Sequence, residues 1–144
     1  MRIEEILRAK GNTVVTTRSH ATIETVLQRL RSENIGSLVV SDNAGRLDGI
    51  ISERDIVRAM SEHGCEALRM RVKEVMTRNV ETCMPGSKIT DVMATMTRRR
   101  FRHMPVVADG SLVGIVSIGD IVKHRLEELE IETRVLRDYV VGNR

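Results

Sequence analysis

A segment near position 50 is written again near position 115, and this internal duplication constrains the chain more than any other feature. "GIISERDIVRAM", beginning at Gly49, lies against "GIVSIGDIVKHR", beginning at Gly114, 65 residues further on. Upstream, "IGSLVV" (Ile35 to Val40) lies against "FRHMPV" (Phe101 to Val106), and "TIETVLQRL" (Thr22 to Leu30) against "KITDVMATM" (Lys88 to Met96), both offset by 66. One residue is therefore lost in the turn between "SDNAGRLDG" and "ADGSLVG". "RIEEIL" (Arg2 to Leu7) resembles "RVKEVM" (Arg71 to Met76) at an offset of 69. A unit of about 65 residues occurs twice in 144, a length that buries one ordinary hydrophobic core without staples.

Each unit has the same periodicity. Ile23, Val26, Leu27 and Leu30, like Ile89, Val92, Met93 and Met96, recur at helical spacing and mark an amphipathic helix. A short apolar run follows ("SLVV" or "MPVV"), then a turn rich in Asp, Asn and Gly, then "LDGIIS" or "LVGIVS", whose β-branched residues complete a hairpin. Ser52 and Ser117 each stand three residues ahead of an aspartate, Asp55 and Asp120, an arrangement that caps a helix start. The spacing predicts strand, helix, strand, strand, helix in each unit: an α+β chain of α/β-type repeats, the first over 1–65 and the second over 66–125. Residues 126–144 form a helical extension that continues "IVKHRLEELEIETRVLRDYVV". Its apolar residues Ile121, Val122, Leu126, Leu129, Leu136 and Val140 fit either a helix packed on its own core or one that overhangs and dimerises.

Composition removes several function classes. The net charge is +3 and acids and bases are mixed along the chain, so a generally polybasic nucleic-acid binder is not indicated. Aromatic residues make up 1 % of the chain, too few for base-stacking platforms. Cys65 and Cys83 sit in no Cys-x-x-Cys pair and at no metal-ligand spacing, which predicts reduced packing residues and no zinc. No stretch approaches the roughly 18 apolar residues of a membrane helix, so the expectation is a cytoplasmic protein with no membrane contact.

Enzymatic chemistry finds no support in the motifs. "GIVSIG" places two residues between Gly114 and Ser117 where a nucleophile elbow allows one. Neither a Gly-x-x-x-x-Gly-Lys-Ser/Thr loop nor a Gly-x-Gly-x-x-Gly turn occurs. His20, His63, His103 and His124 are scattered, and Met60, Met93 and Met96 read as gap-filling core residues.

Two Gly-x-x-Ser-x-x-Asp turns in register, each after a helix and a hairpin, make the chain from about Ile3 to about Arg125 resemble a tandem pair of CBS domains, the modules named after cystathionine β-synthase. The resemblance implies two β-α-β-β-α units packed about a pseudo-twofold axis, with two clefts between them. It implies no obligatory cofactor and a regulatory role: an adenosine-containing ligand (AMP, ADP, ATP, S-adenosylmethionine or NAD(H)) in those clefts, a homodimer, and a regulated partner protein the sequence does not name. It also implies the nucleotide-binding set: Ser117, Asp120, Arg102 and His103 at one cleft, Ser52, Arg54 and Asp55 at the other, Ile35, Gly36 and Ser37 facing one adenine and Met104 with Pro105 the other because both units line each cleft, and Thr16 and Thr82. The chemistry suits these types, since a carboxylate accepts charge-assisted bonds from ribose hydroxyls and a helix start favours phosphate.

Taken alone, a Ser-x-x-Asp is also a simple cap. The basic segment favours the ligand reading for the second unit, whose "FRHMP" replaces the uncharged "IGSLV" of the first, and Arg54 supplies a charge to the first. Arg98, Arg99 and Arg100 are expected at a helix end facing water, with Arg102 and His103 at the edge of the Asp120 cleft. Two readings of other classes stay open: a scaffolding dimerisation module with unused clefts, and nucleic-acid binding through Arg98 to His103.

Overall fold

The computed structural model describes residues 1–142. Helix α1 (Ile3–Lys10) leads to strand β1 (Thr16–Thr17), helix α2 (Ile23–Glu33), the hairpin β2 (Ser37–Val40) and β3 (Gly49–Ser52), and helix α3 (Glu53–His63). A 3-10 segment, Gly64–Arg69, leads to the second unit: α4 (Val72–Val75), α5 (Ile89–Arg99), β4 (His103–Ala108), β5 (Ser111–Ser117) and α6 (Ile118–Gly142).

Local chemistry sets the boundaries. The Thr22 side chain accepts from the Thr25 N–H to start α2, and Ser52 and Asp55 form a reciprocal capping box that starts α3. Asn34 and Arg100 end α2 and α5 in the left-handed region, at φ 54° and 59°. The shorter second hairpin turns on Asp109 and Gly110, both at positive φ, where the first uses the longer loop between Val40 and Gly49.

In the first sheet β1 runs parallel to β2 and β2 antiparallel to β3; the second is the β4–β5 hairpin. The opening strand expected for the second unit shrinks to one parallel bridge, Cys83 to Val106. Pro85, two residues on, has no N–H to extend it.

The two units exchange their leading helices. Ile3 and Ile6 of α1 are fully buried with Ile89, Val92, Met96, Met104 and Ile121, whereas Val72 of α4 is fully buried with Ile23, Val26, Leu38 and Ile51. The backbone repeats this crossing in pairs related by the sequence duplication: Ile3 N–H donates to the Ser87 carbonyl and Val72 N–H to the Ala21 carbonyl, at 3.0 and 2.9 Å. Likewise the Arg2 guanidinium reaches the Gly86 carbonyl and that of Arg71 the His20 carbonyl, at 2.6 and 2.9 Å. Such reciprocity is the signature of a pseudo-twofold axis between the halves.

The crossing also requires two glycines. A Cβ on Gly49 would lie 2.8 Å from the Thr77 carbonyl, and one on Gly114 would lie 2.7 Å from the end of Leu7. These two glycines open the two repeated turns, and each lets the segment from the opposite unit lie flat on its hairpin.

Candidate functional site

Between the halves lies a cleft of about 540 Å³, within the range of small-molecule sites. Asp55, 6 % exposed, lines it from the first turn of α3. One carboxylate oxygen accepts from the Ser52 N–H at 2.9 Å and its hydroxyl at 3.1 Å; the other accepts from the Thr77 hydroxyl at 3.1 Å. Thr77 is held there by its two-way backbone pairing with Ile50 at the edge of β3. The carboxylate is thus oriented by its own helix cap, and its second oxygen faces a hydroxyl contributed by the other unit.

The rim is cationic and crosses the axis. Arg54 and Arg58 come from α3, and Arg99, Arg100 and Arg102 from the end of α5 and the approach to β4. Arg54 donates to the Arg100 carbonyl at 2.8 Å, and Arg99 pairs with Glu81 at 2.7 Å. The left-handed turn at Arg100 directs that carbonyl across the cleft, so one backbone residue joins the two rims. Gly36 and Ser37 contribute to the lining at the start of β2. The Ser37 hydroxyl is buried and makes no hydrogen bond to any of the described residues.

His103 occupies the position in the second unit that Ser37 holds in the first. Its ring lies over Gly36, 3.3 Å from where a Cβ would stand. Burial, then the charge of Lys10, pushes its pKa below the ordinary histidine value, against the opposing pull of Asp120 and Glu53. Because the unfolded chain binds this proton more readily, His103 contributes stability above about pH 6.5, lost as pH falls. Melting temperature is therefore expected to drop between pH 7.5 and 5.5, and His103→Gln to flatten that slope; an identical slope in the variant would remove His103 as its source.

The related position around Asp120 is built differently. Ser117 N–H donates to the Asp120 carboxylate at 2.9 Å and the Ser117 hydroxyl accepts from the Asp120 N–H at 3.1 Å, repeating the cap. Here, however, the Lys10 ammonium sits 2.6 Å from the carboxylate and 3.1 Å from the Ile115 carbonyl. Burial alone would raise the Asp120 pKa, but Lys10 and the Ser117 N–H outweigh it and hold the carboxyl below its ordinary value. Lys10 corresponds in the repeat to Asn79, which lines the Asp55 cleft without contacting its carboxylate.

Of the residues expected at a site, the cleft gathers Gly36, Ser37, Ser52, Arg54, Asp55, Arg102 and His103. The basic segment thus lines the cleft of Asp55, where it was expected beside Asp120, because the units face each other across the axis. Arg98, Arg99 and Arg100 are exposed, as expected of the end of α5, and Arg99 and Arg100 also line the cleft. Met104 points into the second core, Pro105 is buried in β4, and Ile35 packs against the first core. Ser117 and Asp120 belong to the Lys10 side, Thr82 is exposed outside the cleft, and Thr16 lies in a shallower groove of about 350 Å³ beside Arg18. Thr77, Arg58 and Glu81 were missed: the linker "TRNVE" (77 to 81) carries no pattern of its own, although its place just after "RVKEVM" marks the point where the chain crosses between units.

The family model for the CBS domain matches residues 4–62 and 72–127. The chain belongs to the CBS domain family. This CBS pair is 40 % identical to a CBS-domain protein of known structure, ATU1752 from Agrobacterium tumefaciens, with a TM-score of 0.84 over 87 % of this chain and 99 % of that one. It is 30 % identical to the mitochondrial CBS domain-containing protein CBSX3 of Arabidopsis thaliana, over 97 % of this chain and 72 % of the relative. The CBS domain pair of the protein MJ0100, solved in complex with 5'-methylthioadenosine and S-adenosyl-L-methionine, is 29 % identical with a TM-score of 0.77, over 89 % of this chain and 98 % of that one. Some relatives are longer: the pair spans 42 % of the Methanocaldococcus jannaschii protein MJ1225, at 31 % identity. No helix among the described residues is long and apolar enough to cross a membrane.

Proposed function

We propose that this CBS pair is a regulatory, non-catalytic module that binds one adenosine-containing ligand per chain in the Asp55 cleft and reports its presence to a partner protein, working as a homodimer. The observation that carries the reading is the pairing, in one cleft, of a buried carboxylate whose outer oxygen faces a replaceable hydroxyl with a rim of five arginines from both units. A ribose hydroxyl takes the place of the Thr77 hydroxyl on Asp55, and the buried Ser37 hydroxyl gains a partner. The arginines favour a phosphorylated ligand, AMP, ADP, ATP or NAD(H), over S-adenosylmethionine. The complexed MJ0100 pair supports the adenosine class.

Because both units build the cleft, a ligand that binds one relative arrangement of the halves more tightly shifts their population by that difference in affinity, and no more. The arginines line a concavity interleaved with Glu53, Asp55 and Glu81, a poor surface for a nucleic-acid backbone.

A thermal-shift and calorimetry screen of these ligands tests the reading. A ligand at 100 times its dissociation constant adds about 2.7 kcal/mol of stability. A flat response to every adenosine compound sinks the proposal. The stoichiometry is expected to be one, because the Lys10 ammonium pairs with the Asp120 carboxylate on the oxygen that also accepts from the Ser117 N–H, and Lys10→Asn, which copies the residue of the open cleft, is expected to raise it to two. Two sites in the unmodified protein, or one in the variant, would show that Lys10 does not close the Asp120 side.

A further inference from the structure

Helix α6 runs 25 residues, about 37 Å, but only its first turns have a seat: Ile121 is fully buried, while every described residue from Leu129 onward is exposed. The overhang is not uniformly polar. Val122, Leu126, Leu129, Leu136 and Val140 are 44, 56, 40, 65 and 57 % exposed, and with Thr133 they follow one another at steps of four, three, four, three and four. That is an unbroken heptad seam that the body of the protein leaves uncovered.

We propose that this seam is the homodimer interface, a parallel two-stranded coiled coil formed by α6 of two copies. The proposal rests on the homodimer reading and names its surface. The charges beside the seam select both the occupant and the direction. With Leu126, Thr133 and Val140 at the a positions and Val122, Leu129 and Leu136 at d, the flanking e and g positions hold Lys123, Arg125, Glu130, Glu132, Arg137 and Tyr139. In a parallel, in-register pair, Glu132 meets Arg137 of the second copy, and Arg125, which also pairs with Glu128 of its own chain, stands beside Glu130 of the second copy, so the facing charges at both places are of opposite sign. In an antiparallel pair centred on the seam, Glu132 meets Glu132, Glu130 meets Glu130 and Lys123 meets Arg137, so the like charges repel. Two β-branched residues among the three a positions and two leucines among the three d positions favour two strands over three. The dimer axis then runs along α6, and both copies present their clefts with the same orientation to it.

Light scattering coupled to size exclusion, over a hundredfold range of concentration, tests the proposal on the full chain. The unmodified protein is expected to reach the dimer mass, and Leu129→Asp with Leu136→Asp to stay at the monomer mass while still folded, with a melting temperature that no longer rises with concentration, since both side chains face solvent in the single chain. Direction is read separately in a Cys65→Ser background. Val140→Cys is expected to form a disulfide-linked dimer on mild oxidation, and Val135→Cys, on the far side of the helix, to form none. In the antiparallel arrangement the two residues at 140 stand about 27 Å apart and do not cross-link. A dimer that survives the double aspartate variant overturns the zipper and leaves the homodimer standing on another surface. A protein that is monomeric throughout overturns both.

Discussion

Asp55→Asn is expected to weaken binding of the adenosine ligand roughly 10- to 100-fold, the equivalent of the 1.5–3 kcal/mol typical of hydrogen bonds to a charged group. The effect follows from geometry. The inner oxygen of Asp55 is fixed by the Ser52 N–H and hydroxyl, so the outer oxygen is presented at a constant position to whatever replaces the Thr77 hydroxyl. Asparagine keeps the size and one acceptor oxygen but removes the charge and turns one acceptor into a donor. Asp120→Asn in the same titration is expected to leave affinity unchanged, since Asp120 does not line the Asp55 cleft and is paired with Lys10. If Asp120→Asn weakens binding and Asp55→Asn does not, the ligand occupies the other side of the axis. Melting curves on both variants separate binding from folding, because each aspartate also belongs to a helix cap.

Ile6→Ala is expected to cost about 2–5 kcal/mol, the range for removing a large buried aliphatic side chain. For a chain of this size that lowers the melting temperature by roughly 5–15 °C. Ile6 is fully buried, yet nearly all of its neighbours belong to the second repeat. The damage should therefore appear in the second unit. Cys83 reports it: the thiol shares that core, and burial pushes its pKa up to about 11, so in the intact protein it is slow to react. Thiol labelling followed by peptide mapping is expected to show Cys83 modified faster in Ile6→Ala than in Val26→Ala, whose side chain lies in the other core. Equal rates in the two variants would mean that the cores open together.

Much of this architecture was legible before any coordinates. Ile23, Val26 and Leu30 announce their helix by spacing, and Thr22 and Ser52 announce helix starts by chemistry, because caps and amphipathic periodicity are local properties. The repeat itself identified the two aspartates as related positions. What stayed hidden was partnership. "RIEEIL" has a buried face by its pattern, but periodicity says only that Ile3 and Ile6 are inside, not inside which core. The same blindness assigned Arg102 and His103 to the aspartate of their own unit. Across a twofold axis, the end of α5 faces α3 of the other unit, and Arg100 is brought into the cleft by a backbone turn at positive φ that its sequence does not advertise. Lys10 was invisible for a related reason. Nothing in "LRAKG" foretells that its ammonium will meet a carboxylate 110 residues away.

The exchanged helices also bear on how the chain is made. During synthesis α1 leaves the ribosome well before the segments that form its seat, and Ile121 follows Ile6 by 115 residues. At about 5–20 residues per second that interval is on the order of ten seconds. Over that time an amphipathic helix of eight residues is too short to persist alone and has its apolar face uncovered. The first core is meanwhile short of Val72 until the chain has passed α4. A ribosome-bound intermediate of this protein is thus expected to hold a nearly finished first half trailing an unclaimed hydrophobic segment, the kind of sequence that chaperones recognise.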